Sequence, residues 1–124
     1  MNQTTDDRII VVGGDANFSY LMQHYIRRCA HKVVYANLGE DLITLAKCQK
    51  PVAIVLEVDW PKMIGWQLLQ NLKTDQETTK IPVIVCSWLE EETLAYDRGA
   101  SAYLRMPILY ADFETTLKTT LLKE

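Results

Sequence analysis

Five short apolar runs alternate with longer segments in which apolar residues recur at helical spacing. The runs are residues 8–12, 32–35, 52–58, 81–86 and 102–104. Residues 9–12, 52–56 and 83–86 are almost unbroken in β-branched or aliphatic side chains, as in strands covered on both faces. After the first run, Phe18, Leu21, Met22, Tyr25, Ile26 and Cys29 fall at offsets 0, 3, 4, 7, 8 and 11. That is one stripe of a helix, and Asp15 or Asn17 can cap it. Leu38, Leu42, Leu45 and Ala46 form a second stripe, with Pro51 as its stop. Trp66, Leu69 and Leu72, with Leu68 beside them, form a third. Residues 89–97 predict a weaker, acidic fourth helix closed by Gly99 as its C′ glycine. Tyr110, Phe113, Leu117 and Leu121 mark the fifth.

The order is thus strand–helix repeated five times. Crossovers of this length are right-handed, so the pattern predicts an α/β fold: one parallel sheet with helices on both faces. In such a sheet the functional residues gather at the carboxyl ends of the strands. Those ends are residues 13–15, 57–61, 86–88 and 104–107.

Composition narrows the picture. A chain of 124 residues suits one core, here residues 8–122 after a polar tail of residues 1–7. The net charge of -3 points to no direct nucleic-acid or membrane partner. No apolar run nears the roughly 20 residues of a membrane span, and the polar start lacks a signal-peptide core, so a cytoplasmic location is expected. Cys29, Cys48 and Cys86 are too widely spaced for a C-x-x-C pair. They read as buried or half-buried thiols in a reducing compartment, with no metal or cofactor implied. His24 lies off the apolar stripe of its helix and reads as a surface residue. No Ser-His-Asp or Cys-His arrangement is legible, so no enzyme is expected.

The strand ends resemble those of response-regulator receivers. Residues 50–65, KPVAIVLEVDWPKMIG, look like the third strand and following loop of that family. There a phosphorylated aspartate is followed by proline four residues on and glycine eight residues on. Pro61 and Gly65 place that position at Glu57. Residues 81–87, IPVIVCS, resemble the fourth strand with its terminal hydroxyl at Ser87. Residues 99–107, GASAYLRMP, resemble the fifth, with the family's aromatic at Tyr103 and a proline at Pro107. The resemblance covers the chain from Arg8 to about Leu121. It implies the flavodoxin-like (βα)5 doubly wound sheet, strand order 2-1-3-4-5.

It also implies a chemistry that this chain departs from. In the family an acidic pair after the first strand helps to hold magnesium, and the third-strand aspartate attacks phosphorus. A hydroxyl and a lysine bind the phosphoryl oxygens. Here the acidic pair falls on Gly13 and Gly14, which offer magnesium no carboxylate. Asp15 comes one place late, where capping a helix is the simpler role. Glu57 is one methylene longer than aspartate, and a displacement of about 1 Å can cost a hundredfold in such a reaction. Asp59 is acidic but breaks the proline and glycine spacings. The lysine falls on Met106, while Arg105 beside it should point to the other face of the strand. Ser87 alone keeps its chemistry.

The expected function is an atypical, phosphorylation-site-degenerate receiver. It would act as a phosphorylation-independent protein–protein interaction module in bacterial two-component signalling. The resemblance implies docking through the fourth helix, fifth strand and fifth helix, to a signalling protein or a second copy, with Tyr103, Trp88 and Arg105 as switch or interface residues. Trp66 reads as core, and Trp60 and Trp88 read as caps over the altered pocket. The acidic start Glu90-Glu91-Glu92 suits the positive end of the fourth helix. Two alternatives stay open: weak phosphorylation at Glu57 or Asp59, and a small ligand or nucleotide in the vacated pocket.

Overall fold

In the computed structural model, which describes residues 7–36, 41–59 and 63–122, strands and helices alternate through the chain. The strands are β1 (Arg8–Val12), β2 (Lys32–Ala36), β3 (Ala53–Glu57), β4 (Val83–Ser87) and β5 (Ala102–Arg105). The helices are α1 (Ala16–Arg28), α2 (Leu42–Gln49), α3 (Ile64–Thr74), α4 (Glu92–Asp97) and α5 (Tyr110–Leu122). All four strand pairings are parallel, and the order is β2-β1-β3-β4-β5. The flavodoxin-like fold is therefore as the resemblance implies. The apolar runs sit at its centre because β1, β3 and β4 each have a strand on both sides and helices on both faces.

Alternation along the strands builds two cores. Ile10, Val12, Ile54, Leu56, Val83 and Val85 face a layer carrying α2, α3 and α4. Ile9, Val11, Ala53, Val55, Ile84 and Cys86 face α1 and α5, through Phe18, Met22, Ile26, Phe113 and Leu117. Burying each such large side chain contributes about 1.5–3 kcal/mol. The Tyr25 hydroxyl donates to the Ile108 carbonyl at 2.8 Å and ties α1 to the loop before α5.

Local signals place the helix ends. Asp15, not Asn17, is the N-cap of α1, accepting from the Asn17 amide at 3.0 Å. Asp41 caps α2, accepting from Thr44 through both amide and hydroxyl. Leu38 lies outside the described residues. Gly65 opens α3 against the end of β3: a Cβ there would stand 2.5 Å from the Val58 Cα, so only glycine permits the approach. Gly99, at φ +98, ends α4 as expected.

Three expectations need correction. The fourth helix starts at Glu92 rather than at residue 89, because side chains take backbone groups of Trp88, Leu89 and Glu91. Only Glu92 of the three glutamates then lies in its first turn. Cys48 is exposed, while Cys29 is half-buried and Cys86 buried. Trp66 is core. No described helix is long and apolar enough to cross a membrane.

Candidate functional site

The carboxyl ends of β1, β3, β4 and β5 meet along one edge of the sheet, and the pleat divides that edge in two. On the α1/α5 side lie Glu57, Cys86 and Met106; on the other lie Ser87, Tyr103 and Arg105. Glu57 is opposite Cys86 in the register, and Ser87 is opposite Arg105.

The α1/α5 side is closely filled. Glu57 is 5% exposed, and its Oε1 accepts from the Gly14 amide at 3.1 Å. Met106 is buried in the apolar cluster with Phe18, Leu104 and Ile108. A Cβ on Gly13 would fall 2.7 Å from Phe18 Cδ2 and 3.0 Å from Glu57 Oε1. Phe18 thus occupies the space an acidic side chain at position 13 would need. Gly14 is exposed, and Asp15 is exposed and spent on its cap. Burial drives the Cys86 thiol well above its ordinary range, and the charges of Glu57 and Asp59 push it further.

A magnesium ion does not fit this donor set. The two glycines carry no oxygen ligands on side chains, and the ring of Phe18 and the carboxylate of Glu57 crowd position 13. No cluster of three or more His, Cys, Asp or Glu suited to a metal occurs among the described residues.

The other side is polar and bonded. Ser87 is buried, and its hydroxyl lies 2.8 Å from Asp59 Oδ1 and 3.1 Å from Glu91 Oε1. It also accepts from the Leu89 amide at 2.9 Å. The second Asp59 oxygen accepts from the Trp88 amide at 2.6 Å. The Tyr103 hydroxyl donates to the Leu89 carbonyl and accepts from the Glu91 amide. Arg105 Nε donates to the Trp88 carbonyl at 2.7 Å, and its guanidinium pairs with Glu90 at 2.9 Å.

Of the residues singled out in the sequence, the structure therefore joins Asp59, Ser87, Trp88, Tyr103 and Arg105. It sets Gly13, Gly14, Glu57 and Met106 apart on the opposite side. Trp88 is 52% exposed, which does not fit the expected cap over the altered pocket, and its backbone amide and carbonyl are both held by side chains. Trp60 and Pro61 lie outside the described residues. Sequence reasoning missed two participants. Phe18 reads only as one member of a helical stripe, with nothing to show that its ring reaches Gly13. Glu91 sits in an acidic run that suggests a helix dipole, yet its carboxylate reaches back to Ser87.

Comparison with known proteins places the chain in a class. It is 32% identical to the protein PilH of Pseudomonas aeruginosa over 115 residues, covering 90% of this chain and 93% of that one. It is 27% identical to the alkaline phosphatase synthesis transcriptional regulatory protein PhoP of Bacillus subtilis, spanning 92% of itself but only 48% of PhoP. The fold matches the chemotaxis response regulator CheY4 of Vibrio cholerae, with a TM-score of 0.81, 17% identity, and 94% and 99% of the two chains covered. It also matches the receiver domain of a DNA-binding response regulator from Colwellia psychrerythraea, with a TM-score of 0.83, 20% identity, and 96% and 100% covered. No protein-family model matches. The chain belongs to the response-regulator receiver family of two-component signalling.

Proposed function

We propose that this chain is a cytoplasmic receiver-like module that signals by protein–protein contact without being phosphorylated. The observation that carries this reading is the crowding at Gly13. Phe18 and Glu57 fill the place where the family keeps a metal-binding carboxylate. Catalysis of phosphoryl transfer rests on positioning and on neutralising charge. Here the metal ligands, the aspartate and the lysine are each replaced, by Gly13 and Gly14, Glu57 and Met106. Asp59 breaks the family's proline and glycine spacings, and its two oxygens are engaged with Ser87 and the Trp88 amide.

The partner is another signalling protein, met through α4, β5 and α5. Support comes from the groove between those helices, lined by Tyr96, Ser101, Tyr103, Thr115 and Thr119, with hydroxyls for hydrogen bonds and aromatic rings for area. Three unpaired cysteines suit a reducing compartment.

The test is incubation with acetyl phosphate and magnesium, followed by intact mass. The protein is expected to stay unmodified, whereas a phosphoprotein would overturn the reading. The matched gain-of-function variant needs Asp at 13, 14 and 57 and Lys at 106. It also needs a smaller residue at 18, because Phe18 would otherwise collide with Asp at 13. A thermal-shift screen with nucleotides separates the ligand-binding alternative, for which no stabilisation is expected.

A further inference from the structure

Residues 88–91 connect β4 to α4, cross the surface and carry two exposed apolar side chains, Trp88 and Leu89. A connection of this kind is ordinarily among the more mobile parts of a domain. This one is held at Trp88, Leu89 and Glu91. The Trp88 amide is bound by Asp59 and its carbonyl by Arg105. The Leu89 amide is bound by Ser87 and its carbonyl by Tyr103. The Glu91 amide is bound by Tyr103 and by the Leu89 carbonyl.

Asp59 differs from the other holders. It is anionic, it comes from a different strand end, and it is bidentate, with Oδ1 at 2.8 Å from the Ser87 hydroxyl and Oδ2 at 2.6 Å from the Trp88 amide. Hydrogen bonds to an ionised acceptor are roughly twice as strong as neutral ones. Ser87 has one proton and two carboxylates within reach, Asp59 at 2.8 Å and Glu91 at 3.1 Å. The shorter contact gives Asp59 the proton and leaves the serine lone pairs for the Leu89 amide. Ser87 is thereby oriented by Asp59 to hold the next residue of the loop.

We infer that Asp59 is a built-in anionic ligand of the β4–α4 connection, clamping residues 87–91 in one arrangement so that Trp88 and Leu89 are displayed in a fixed geometry without any modification of the protein. The inference rests on the phosphorylation-independent reading and names the group that sets the state of the module. Asp59 is a positioning residue here, acting through Ser87 and the Trp88 amide.

Amide hydrogen exchange by NMR on the full chain tests it. Asp59→Ala is expected to speed exchange at Trp88 and Leu89 roughly tenfold, the factor associated with losing one good hydrogen bond. Strand amides of Val55 and Ile84 should keep their rates. Asp59→Asn, which retains an acceptor for the Trp88 amide and can donate to Ser87, should fall between Ala and the parent. Unchanged exchange at Trp88 in both variants would overturn the clamp. So would an equal rise at Val55 and Ile84 in both, which would make Asp59 a residue of the whole fold. The acetyl phosphate experiment is read separately: a phosphoprotein sinks the phosphorylation-independent reading, while the exchange pattern still decides the clamp.

Discussion

The two sides of the strand-end edge are a few residues apart in sequence and opposite in character. On the α1/α5 side, Gly13, Glu57, Met106 and Phe18 form a filled and largely apolar packing. On the α4 side, Asp59, Ser87, Tyr103 and Arg105 form a polar set in which every member has a named partner. The contrast is between a side closed by side-chain packing and a side closed by hydrogen bonds. Holding a metal and a phosphoryl group needs several charges brought together, and the Phe18 ring stands where a side chain at position 13 would go. On the α4 side Asp59, Ser87, Tyr103 and Arg105 together hold the loop by hydrogen bonds.

Emptying the filled side should have the largest effect. Phe18 is 4% exposed and packs among buried residues, so Phe18→Ala should cost about 3–5 kcal/mol in urea unfolding. Loss of less than about 1 kcal/mol would mean that the ring is not what closes that side.

Gly13→Asp comes next. Its Cβ has to displace the Phe18 ring, at 2.7 Å, and bring a second charge beside Glu57. Overpacking of this kind costs about 1–3 kcal/mol. In the Phe18→Ala background the same change should cost less, a coupling of about 0.5 kcal/mol or more. Strict additivity in the double-mutant cycle would separate Phe18 from Gly13.

On the bonded side the effects on stability should be small. The Arg105–Glu90 pair is exposed, with side chains 48% and 88% accessible, so Glu90→Ala should change stability by less than about 1 kcal/mol. Its expected signature is greater mobility at residue 90 by NMR relaxation, with the thermal midpoint almost unmoved. A large drop in midpoint would show that the bonded side also carries the fold.

The smallest effect is a control at neither side. Thr44 hydrogen bonds hold the Asp41 carboxyl below its ordinary 3.8, and the Glu77 amide and then Lys47 do the same for Asp75. A folded value below the unfolded one means the native state binds fewer protons. That stabilisation is present above the ordinary carboxylate value and is lost as pH falls through the folded values. Asp75→Asn should therefore flatten the fall of thermal midpoint below about pH 4 without changing the Gly13 or Trp88 results. An unchanged acid limb would remove Asp75 from the account.

Much of this was legible in residue order. The alternation of apolar runs and helical stripes reflects a sheet covered on both faces, and burial enforces it locally. Gly99, Asp15 and Trp66 read directly because each answers to its own backbone or its own helix face. Residues 89–91 misread as helix because three glutamates suit a helix start, whereas tertiary partners claimed their backbone first.

Residue order alone carried the family scaffold and the identities Gly13, Gly14, Glu57 and Met106 near the strand ends, since an identity needs no coordinates. What surrounds those positions came only from the folded chain. Phe18 lies in α1 and Gly13 in the loop before it, and Asp59 is 28 residues from Ser87. Nothing in local spacing says that a ring fills one gap or that a carboxylate spans the other. Those facts follow from the register of β3 against β4 and the packing of α1 on the sheet, which set distances between side chains that the chain order leaves open.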